Sequence, residues 1–265
     1  MSASERTSFL YHASALALSG HLKRPLDHLI EVQAGTTLPR AGGHGSARVE
    51  NFRFDQMVSF KAGYAQVSGS EKVENQKVIH TTLSTSVVEG LNILDVVTAD
   101  RIVARLASSH ESGSPESRIL MIGSRFENLR IAGCKIEVEL DHELGLKLDT
   151  FEATRKEFES NPDFRKMADD PFDSGKLPKK VEAHGIIRCS LVKEVQPANC
   201  PGVARYGHHG HVLAVQEFGK IHLAEVVFEF GRKTLTMLRI ELGSPNGGSI
   251  TVTQADSNGR PPLGS

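Results

Sequence analysis

Val49-Glu50-Asn51-Phe52-Arg53-Phe54 returns as Val88-Glu89-Gly90-Leu91-Asn92-Ile93 and again as Phe126-Glu127-Asn128-Leu129-Arg130-Ile131. Glu50 and Glu89 lie 39 residues apart, and Glu89 and Glu127 lie 38 apart. An apolar, acidic, small, apolar, polar, apolar phrase at a near-constant interval marks one structural unit used more than once. The first two phrases lead into longer strand-like runs, Val58–Val67 and Val97–Leu106, which align at the same offset of 39. Ile102, Ala104 and Leu106 alternate with Val103 and Arg105, and Ile136, Val138 and Leu140 alternate with Glu137 and Glu139. Period two with one apolar face is the pattern of a half-buried strand. Residues 46–140 therefore read as hairpin-like units set side by side.

The flanks extend this reading. Phe9–Leu18 is a first strand, with a further apolar stretch at Leu26–Val32, and the Gly42-Gly43 pair asks for positive φ. Between 141 and 180 the alternation stops. Asp149 and Thr150 are N-cap residues ahead of Phe151, Phe151 and Phe158 share a helical face, and Pro162 opens a second helix carrying Phe164 and Met167. Residues 169–178 have the composition of a linker. Strands resume at Ile186–Val192, Val212–Gln216, Ile221–Phe230, Lys233–Leu242 and Ser249–Ala255, and 256–265 reads as a flexible tail. The expected fold is all-β and mainly antiparallel, one domain over 1–255 with a short helical insertion near 149–168. Sandwich, barrel and solenoid all use alternating strands of this length, so the three stay open.

The bulk numbers agree. Of 265 residues, 39% are hydrophobic and 24 are Gly, which suits short strands and tight turns. A formal net charge of −1, from 31 basic and 32 acidic residues, gives no electrostatic footprint for nucleic acid. No apolar run approaches the ~20 residues of a membrane span. The three cysteines, Cys134, Cys189 and Cys200, read as reduced thiols, which favours the cytoplasm; a Cys189–Cys200 bridge is the alternative and implies export. Cys189 sits in an apolar strand, where burial raises its pKa.

Two groups of residues are candidate sites. Glu50, Glu89 and Glu127 recur at equivalent places, so they line a carboxylate ladder for calcium or, more ordinarily, accept backbone N–H groups at a strand bend. His208, His209 and His211, in Tyr206-Gly207-His208-His209-Gly210-His211, form the one dense group of metal-ligand types. His209 and His211 would share one side of a strand, with His222 joining from a neighbour, and imidazoles suit zinc, nickel or copper. A Gly/His surface loop is the ordinary reading of the same residues. Nucleophile elbows, phosphate loops and His-Glu-x-x-His are missing from the sequence.

The stretch Val87-Val88-Glu89-Gly90-Leu91-Asn92-Ile93-Leu94-Asp95-Val96-Val97-Thr98-Ala99-Asp100-Arg101-Ile102, with its echo Ser124–Gly133, resembles the β-rich repeats of bacterial surface proteins of the choice-of-anchor P family. The resemblance spans about 85–140. It implies a bacterial origin, an all-β body and no known enzyme activity, and it carries no functional residue.

These readings lead to a noncatalytic, β-rich structural or binding module that forms homo-oligomers through exposed strand edges, with no cofactor. Lys233–Leu242, long and β-prone, is a candidate mating strand, though a core strand would look alike. The alternative is a metal-dependent hydrolase or metal-binding β-barrel using His208, His209 and His211 with a divalent metal, closed over by the 149–168 helices. A small-ligand carrier is the third reading.

Overall fold

The computed structural model describes residues 9–25, 27–168, 181–182 and 185–260, with backbone alone for 258–260. Leu26, the linker reading at 169–178 and the last five residues of the tail lie outside the described residues. The chain opens with β1 (Leu10–Leu22), β2 (His28–Gln33) and β3 (Thr36–Thr37). Four long strands follow as a meander: β4 (Gly43–Phe54), β5 (Val58–Glu74), β6 (Lys77–Ile93) and β7 (Val97–Glu111). Short strands come next: β8 (Arg118–Leu120), β9 (Arg125–Glu127), β10 (Arg130–Ile131), β11 (Cys134–Lys135) and β12 (Glu137–Leu140). Helices α1 (His142–Lys147), α2 (Phe151–Ser160) and α3 (Pro162–Met167) form the insertion. The last part runs through β13 (Ile187–Ser190), β14 (Val192–Gln196), β15 (Val203–Tyr206), β16 (Val212–Val215), β17 (Gly219–Glu229), β18 (Arg232–Leu242) and β19 (Gly248–Arg260).

Two antiparallel sheets result. The first has the order β15-β16-β17-β18-β19-β1-β2, with β13 also on β17 and β3 also on β1. The second has the order β11-β10-β7-β6-β5-β4, with β8 and β9 also on β7, while β12 and β14 form a small ribbon. β1 and β19 lie across β5, β6 and β7, so the sheets face each other as an open sandwich and not a closed barrel.

The repeated phrase has a physical meaning in this arrangement. In a regular strand the inward positions are two apart. Here every long strand makes one step of three: Val88 to Leu91 in β6, Ala99 to Ile102 in β7, Leu223 to Val226 in β17, Leu235 to Leu238 in β18 and Val252 to Ala255 in β19. The steps are in register from β4 to β7 and from β17 to β19, so these strands do not slip against one another, whereas β1 shifts against β2 between Leu18 and Gly20. On alternate strands the skipped residue takes positive φ: Asn51, Gly90 and Asn128 in the second sheet, Ala224 and Thr253 in the first. Asn and Gly tolerate that region, which is why the small residue follows each Glu of the phrase.

Small residues let the layers close. A Cβ added at Gly63 would come within 2.9 Å of the Ala17 methyl. Alongside, the Ser84 hydroxyl donates to the Ser14 carbonyl at 2.6 Å and the Ser86 hydroxyl to the Leu16 carbonyl at 2.5 Å. Thr82 bridges Ser108 of the same sheet and Ser257 of the other. A large apolar cluster includes Phe151, Phe158 and Phe164 of the insertion, and a smaller one gathers Tyr11, Ala13, Ala15, Leu38, Ala65 and Val67. As the sequence indicates, Thr150 caps α2 by accepting from the Ala153 N–H, and Asn161 caps α3 ahead of Pro162. Helix α1, capped by Asp141, is an addition to the two helices that the sequence pattern indicates.

Three expectations are corrected. The three cysteines are not all reduced: Cys200 bonds to Cys134, not to Cys189 as in the alternative, joining β11 of the second sheet to the segment before β15 and leaving Cys189 a buried free thiol. Sixty-six residues of sequence separate the two, so only the packing of the sheets brings them within a Cα distance of 6.2 Å. Lys233–Leu242 is an interior strand bonded on both sides, by β17 and β19, and offers no edge for mating. Asp256 and Ser257 are buried within β19, which continues through Arg260, so the flexible tail does not begin at 256.

The in-register break makes a direct prediction. Gly90→Val places a β-branched residue at φ +64 and should cost about 1–3 kcal/mol, whereas Asn51→Gly at φ +52 should stay within about 0.5 kcal/mol of the parent or exceed it. Urea denaturation of both variants measures the difference.

Candidate functional site

The histidine group splits in two. Residues 207–210 form a turn between β15 and β16, so His209 and His211 do not share a strand face. His208 and His209 stand together, ring centroids 4.5 Å apart, on an open cleft of about 430 Å3. The opposite wall is the helical insertion, with Asp141, Glu143, Leu144, Lys147, Glu157, Asn161, Asp163, Phe164 and Met167. His211 is buried instead beneath Gly207, where φ is +82 and a Cβ would run into the imidazole. His222, cross-strand from Val212 and Arg239, is buried between Glu225 and Glu241, at 3.9 and 3.6 Å. The expected pairing of helices with the His208–His209 turn is therefore present, while His211 and His222 belong to the packing below it.

The cleft's acids carry structural duties. Asp141 caps α1 by accepting from Leu144 N at 2.8 Å. Glu157 binds Lys147 at 2.6 Å and the Asn161 amide at 2.6 Å, and Asp163 pairs with Lys166 at 2.9 Å. Among the described residues no group of three or more His, Cys, Asp or Glu is placed to hold a metal ion. Burial, and then the neighbouring His208, hold the His209 imidazole below its ordinary pKa, so it is a neutral hydrogen-bonding group at neutral pH. The cleft thus brings together an imidazole pair, carboxylates and the apolar side chains of Leu144, Phe164 and Met167.

What fixes this wall is a residue that in sequence is only one member of a strand pattern. Lys233 is 2% exposed, and its ammonium donates to the Ile119 carbonyl at 2.7 Å and to the Leu148 carbonyl at the α1 C-cap. It also lies 5.3 Å from the Phe228 ring centroid. Burial pulls its pKa down to about 7, against the opposing pull of Asp149 and Glu116. Cys189 nearby is pushed up to about 12 by burial, as its apolar strand implies. A second polar cluster is equally silent in the sequence. His80 and His110 are cross-strand partners under Phe9, with Tyr11 on the first imidazole at 3.0 Å and Ser117 on the second at 3.2 Å. Burial lowers both imidazole pKa values. Neither cluster has a local motif, because its members come from strands that only the fold brings together.

Glu50, Glu89 and Glu127 fall in one row on the outer face of the second sheet: Glu50, Ala62, Glu89, Arg101, Glu127. They are spaced by Ala62 and Arg101, and each meets arginine rather than backbone N–H groups. Arg48 lies 2.7 Å from Glu50, Arg101 3.5 Å from Glu89 and Arg125 2.7 Å from Glu127, while Tyr64 donates to Glu89 at 3.2 Å. This is charge pairing on a solvated sheet, not a calcium ladder.

One terminal strand of each sheet lies on the same side of the molecule. β4 is the terminal strand of the second sheet and β2 of the first, and the His28 ring lies 4.4 Å from Phe54 between them. Leu29 and Val32 of β2 are 64% and 55% exposed. A smaller, more apolar cavity of about 230 Å3 opens there, lined by Leu22, Arg24, Pro25, His28, Phe54, Asp55 and Met57.

Fold and surface together define a two-layer antiparallel β-sandwich with a helical insertion. The chain belongs to the family described as Domain of unknown function (DUF8256), whose model matches residues 9–172. That span holds β1–β3, the whole of the second sheet and the three helices. No curated protein and no solved structure matches the chain.

The Lys233 anchor yields a pH-dependent expectation. Its folded pKa, about 7, lies below the ordinary 10.5, so the folded chain binds fewer protons than the unfolded chain between those values. Stability should therefore rise with pH across that window, by roughly 2 kcal/mol from pH 7 to 9. Lys233→Met should flatten that rise and speed amide exchange over 142–160, measured by denaturation and hydrogen exchange in the same buffers.

Proposed function

We propose that this protein is a noncatalytic β-rich module that works by assembly, joining copies of itself through the side where β2 and β4, one terminal strand of each sheet, lie together. The observation that carries this reading is the coincidence of two terminal strands, β2 and β4, with exposed Leu29 and Val32 beside them. An uncovered edge is a template for another strand, and two edges ending together extend both layers at once. A net charge of −1 offers little repulsion between copies. The resemblance of 85–140 to repeats of bacterial surface proteins points the same way. The Cys134–Cys200 bond supports an exported protein working in an oxidising compartment, in place of the cytoplasmic expectation.

Light scattering coupled to size exclusion, over a hundredfold range of concentration, tests the reading. A defined oligomer that dissociates on dilution is expected; a monomer throughout overturns it. Metal analysis of tag-free protein separates it from the metal-dependent reading at His208 and His209, which requires stoichiometric zinc, nickel or copper. For the compartment, alkylation before and after reduction should leave Cys134 and Cys200 unlabelled until reductant is added. The Cys134→Ser/Cys200→Ser variant should lose about 4 kcal/mol if closing this loop acts mainly on the unfolded chain.

A further inference from the structure

Phe9, the residue before β1, lies flat on the His80 ring at a centroid distance of 4.1 Å and tilted over the His110 ring at 5.1 Å. Two residues on, the Tyr11 hydroxyl bonds His80 Nδ1 at 3.0 Å. The two histidines oppose each other across β6 and β7, and His110 is 3% exposed. Two positions further along the same strands, Thr82 bonds Ser108 beside it and Ser257 of the other sheet. One end of the space between the sheets is thus closed by an imidazole pair under two aromatic rings. Its apolar support is the small cluster around Tyr11, apart from the main core.

The charged groups around this pair are unevenly placed. From β5, Glu71 stands opposite His80, 3.8 Å from Nδ1. His80 therefore has a carboxylate, a hydroxyl and the face of Phe9 to stabilise a proton. His110 has the Ser117 hydroxyl at 3.2 Å and otherwise meets Phe9 and His80. Glu111, next along β7, pairs with Lys77 instead. A first proton on His80 is tolerated; a second, on His110, meets burial and a like charge directly across the strands. Burial lowers both imidazole pKa values, Glu71 opposing this at His80 and the His80 charge adding to it at His110. Lifting Phe9 and Tyr11 lets water reach both rings, so the lifted form binds more protons. His12, on the other face of β1, acts in the opposite sense. It lies 3.3 Å from buried Asp256, which raises its pKa, so acid strengthens that contact and cannot lift the strand through it.

We infer that the Phe9–Tyr11 segment is an acid-released clasp, closed over His80 and His110 at neutral pH and lifted from the second sheet when both imidazoles take up protons, which opens the hydroxyl-lined gap at Thr82, Ser108 and Ser257 to water. Because both folded pKa values lie below the ordinary 6.5, closure is fully favoured above that value and is lost as pH falls through the folded ones. The clasp is independent of any assembly of copies.

Amide exchange of the full chain, followed by nuclear magnetic resonance and corrected for the intrinsic rate, reads the clasp at Tyr11, whose N–H donates to the Arg40 carbonyl at 3.0 Å. Between pH 7.5 and 5 its exchange should rise about tenfold or more, while β17 and β18 keep their protection. His110→Gln removes the second proton and keeps a polar side chain, and should cut the rise to about threefold or less. In His80→Gln the His110 ring should titrate at a higher pH than in the parent, because the opposing charge is gone; this readout is independent of any loss of stability. Circular dichroism at pH 7.5 shows that each variant is folded. Equal protection of Tyr11 at both pH values overturns the clasp, and so does a rise that His110→Gln leaves unchanged. A rise shared by β17 and β18 is global acid unfolding and overturns it as well. A His110 titration unmoved by His80→Gln overturns the coupling of the two imidazoles on which the release depends.

Discussion

One residue per strand, taken in register across both sheets, carries the departure from flat pleating on which this sandwich depends. A strand that alternates strictly must keep one face inward along its whole length, and strands of 11 to 17 residues would then form broad, weakly coiled layers. Stepping three instead of two resets the face midway, and doing so in every long strand at once preserves the ladder. The left-handed residues on alternate strands absorb the backbone turn. Asn and Gly fill these places in the second sheet, while Ala224 and the buried Thr253 fill them in the first, where packing overrides local preference.

From that geometry follows the closeness of the layers. Where Gly63 meets Ala17 there is no room for a larger side chain, and Ser84 and Ser86 use the proximity to bond backbone carbonyls of the facing strand. Such bonds are directional where apolar contact is not, so they fix β1 laterally on β6. Lys233 reaches from β18 to the carbonyls of Ile119 and Leu148, tying the first sheet to β8 and to the end of α1. A buried lysine is an expensive way to hold two segments. It holds in place the wall against which the His208–His209 turn forms its cleft. The disulfide acts in the same region, joining β11 to the segment that precedes β15.

The charges on the outer face of the second sheet are paired with one another. Within the second sheet, Arg48, Arg101 and Arg125 neutralise the glutamates of the row, so a sheet face with many ionised groups remains free of net repulsion. At the end of the row Arg48 and Glu50 pair with each other on the terminal strand β4. Burial removes His211 and His222 from any surface role, while the turn at Gly207 and Gly210 leaves His208 and His209 on the cleft.

The all-β class, the antiparallel hairpins and the helices at 151–167 are legible in the sequence, because alternation, turn residues and caps act over a few neighbouring residues. The phrase Val88-Glu89-Gly90-Leu91-Asn92-Ile93 even contains the three-residue step, since its apolar positions are spaced three and then two. Its glutamates can be matched to equivalent places but not to their arginine partners, and the one that reaches Glu89, Arg101, stands on another strand. Phe158 and Phe164 can be assigned inward by helical periodicity alone. Which cysteines join, that Lys233 is an anchor, that β18 is interior and β4 terminal, and that His208 parts from His211 were decided by the tertiary structure. Each depends on strand order and on which layer a residue enters, quantities set by contacts between segments far apart in the chain, and no window of neighbouring residues carries them.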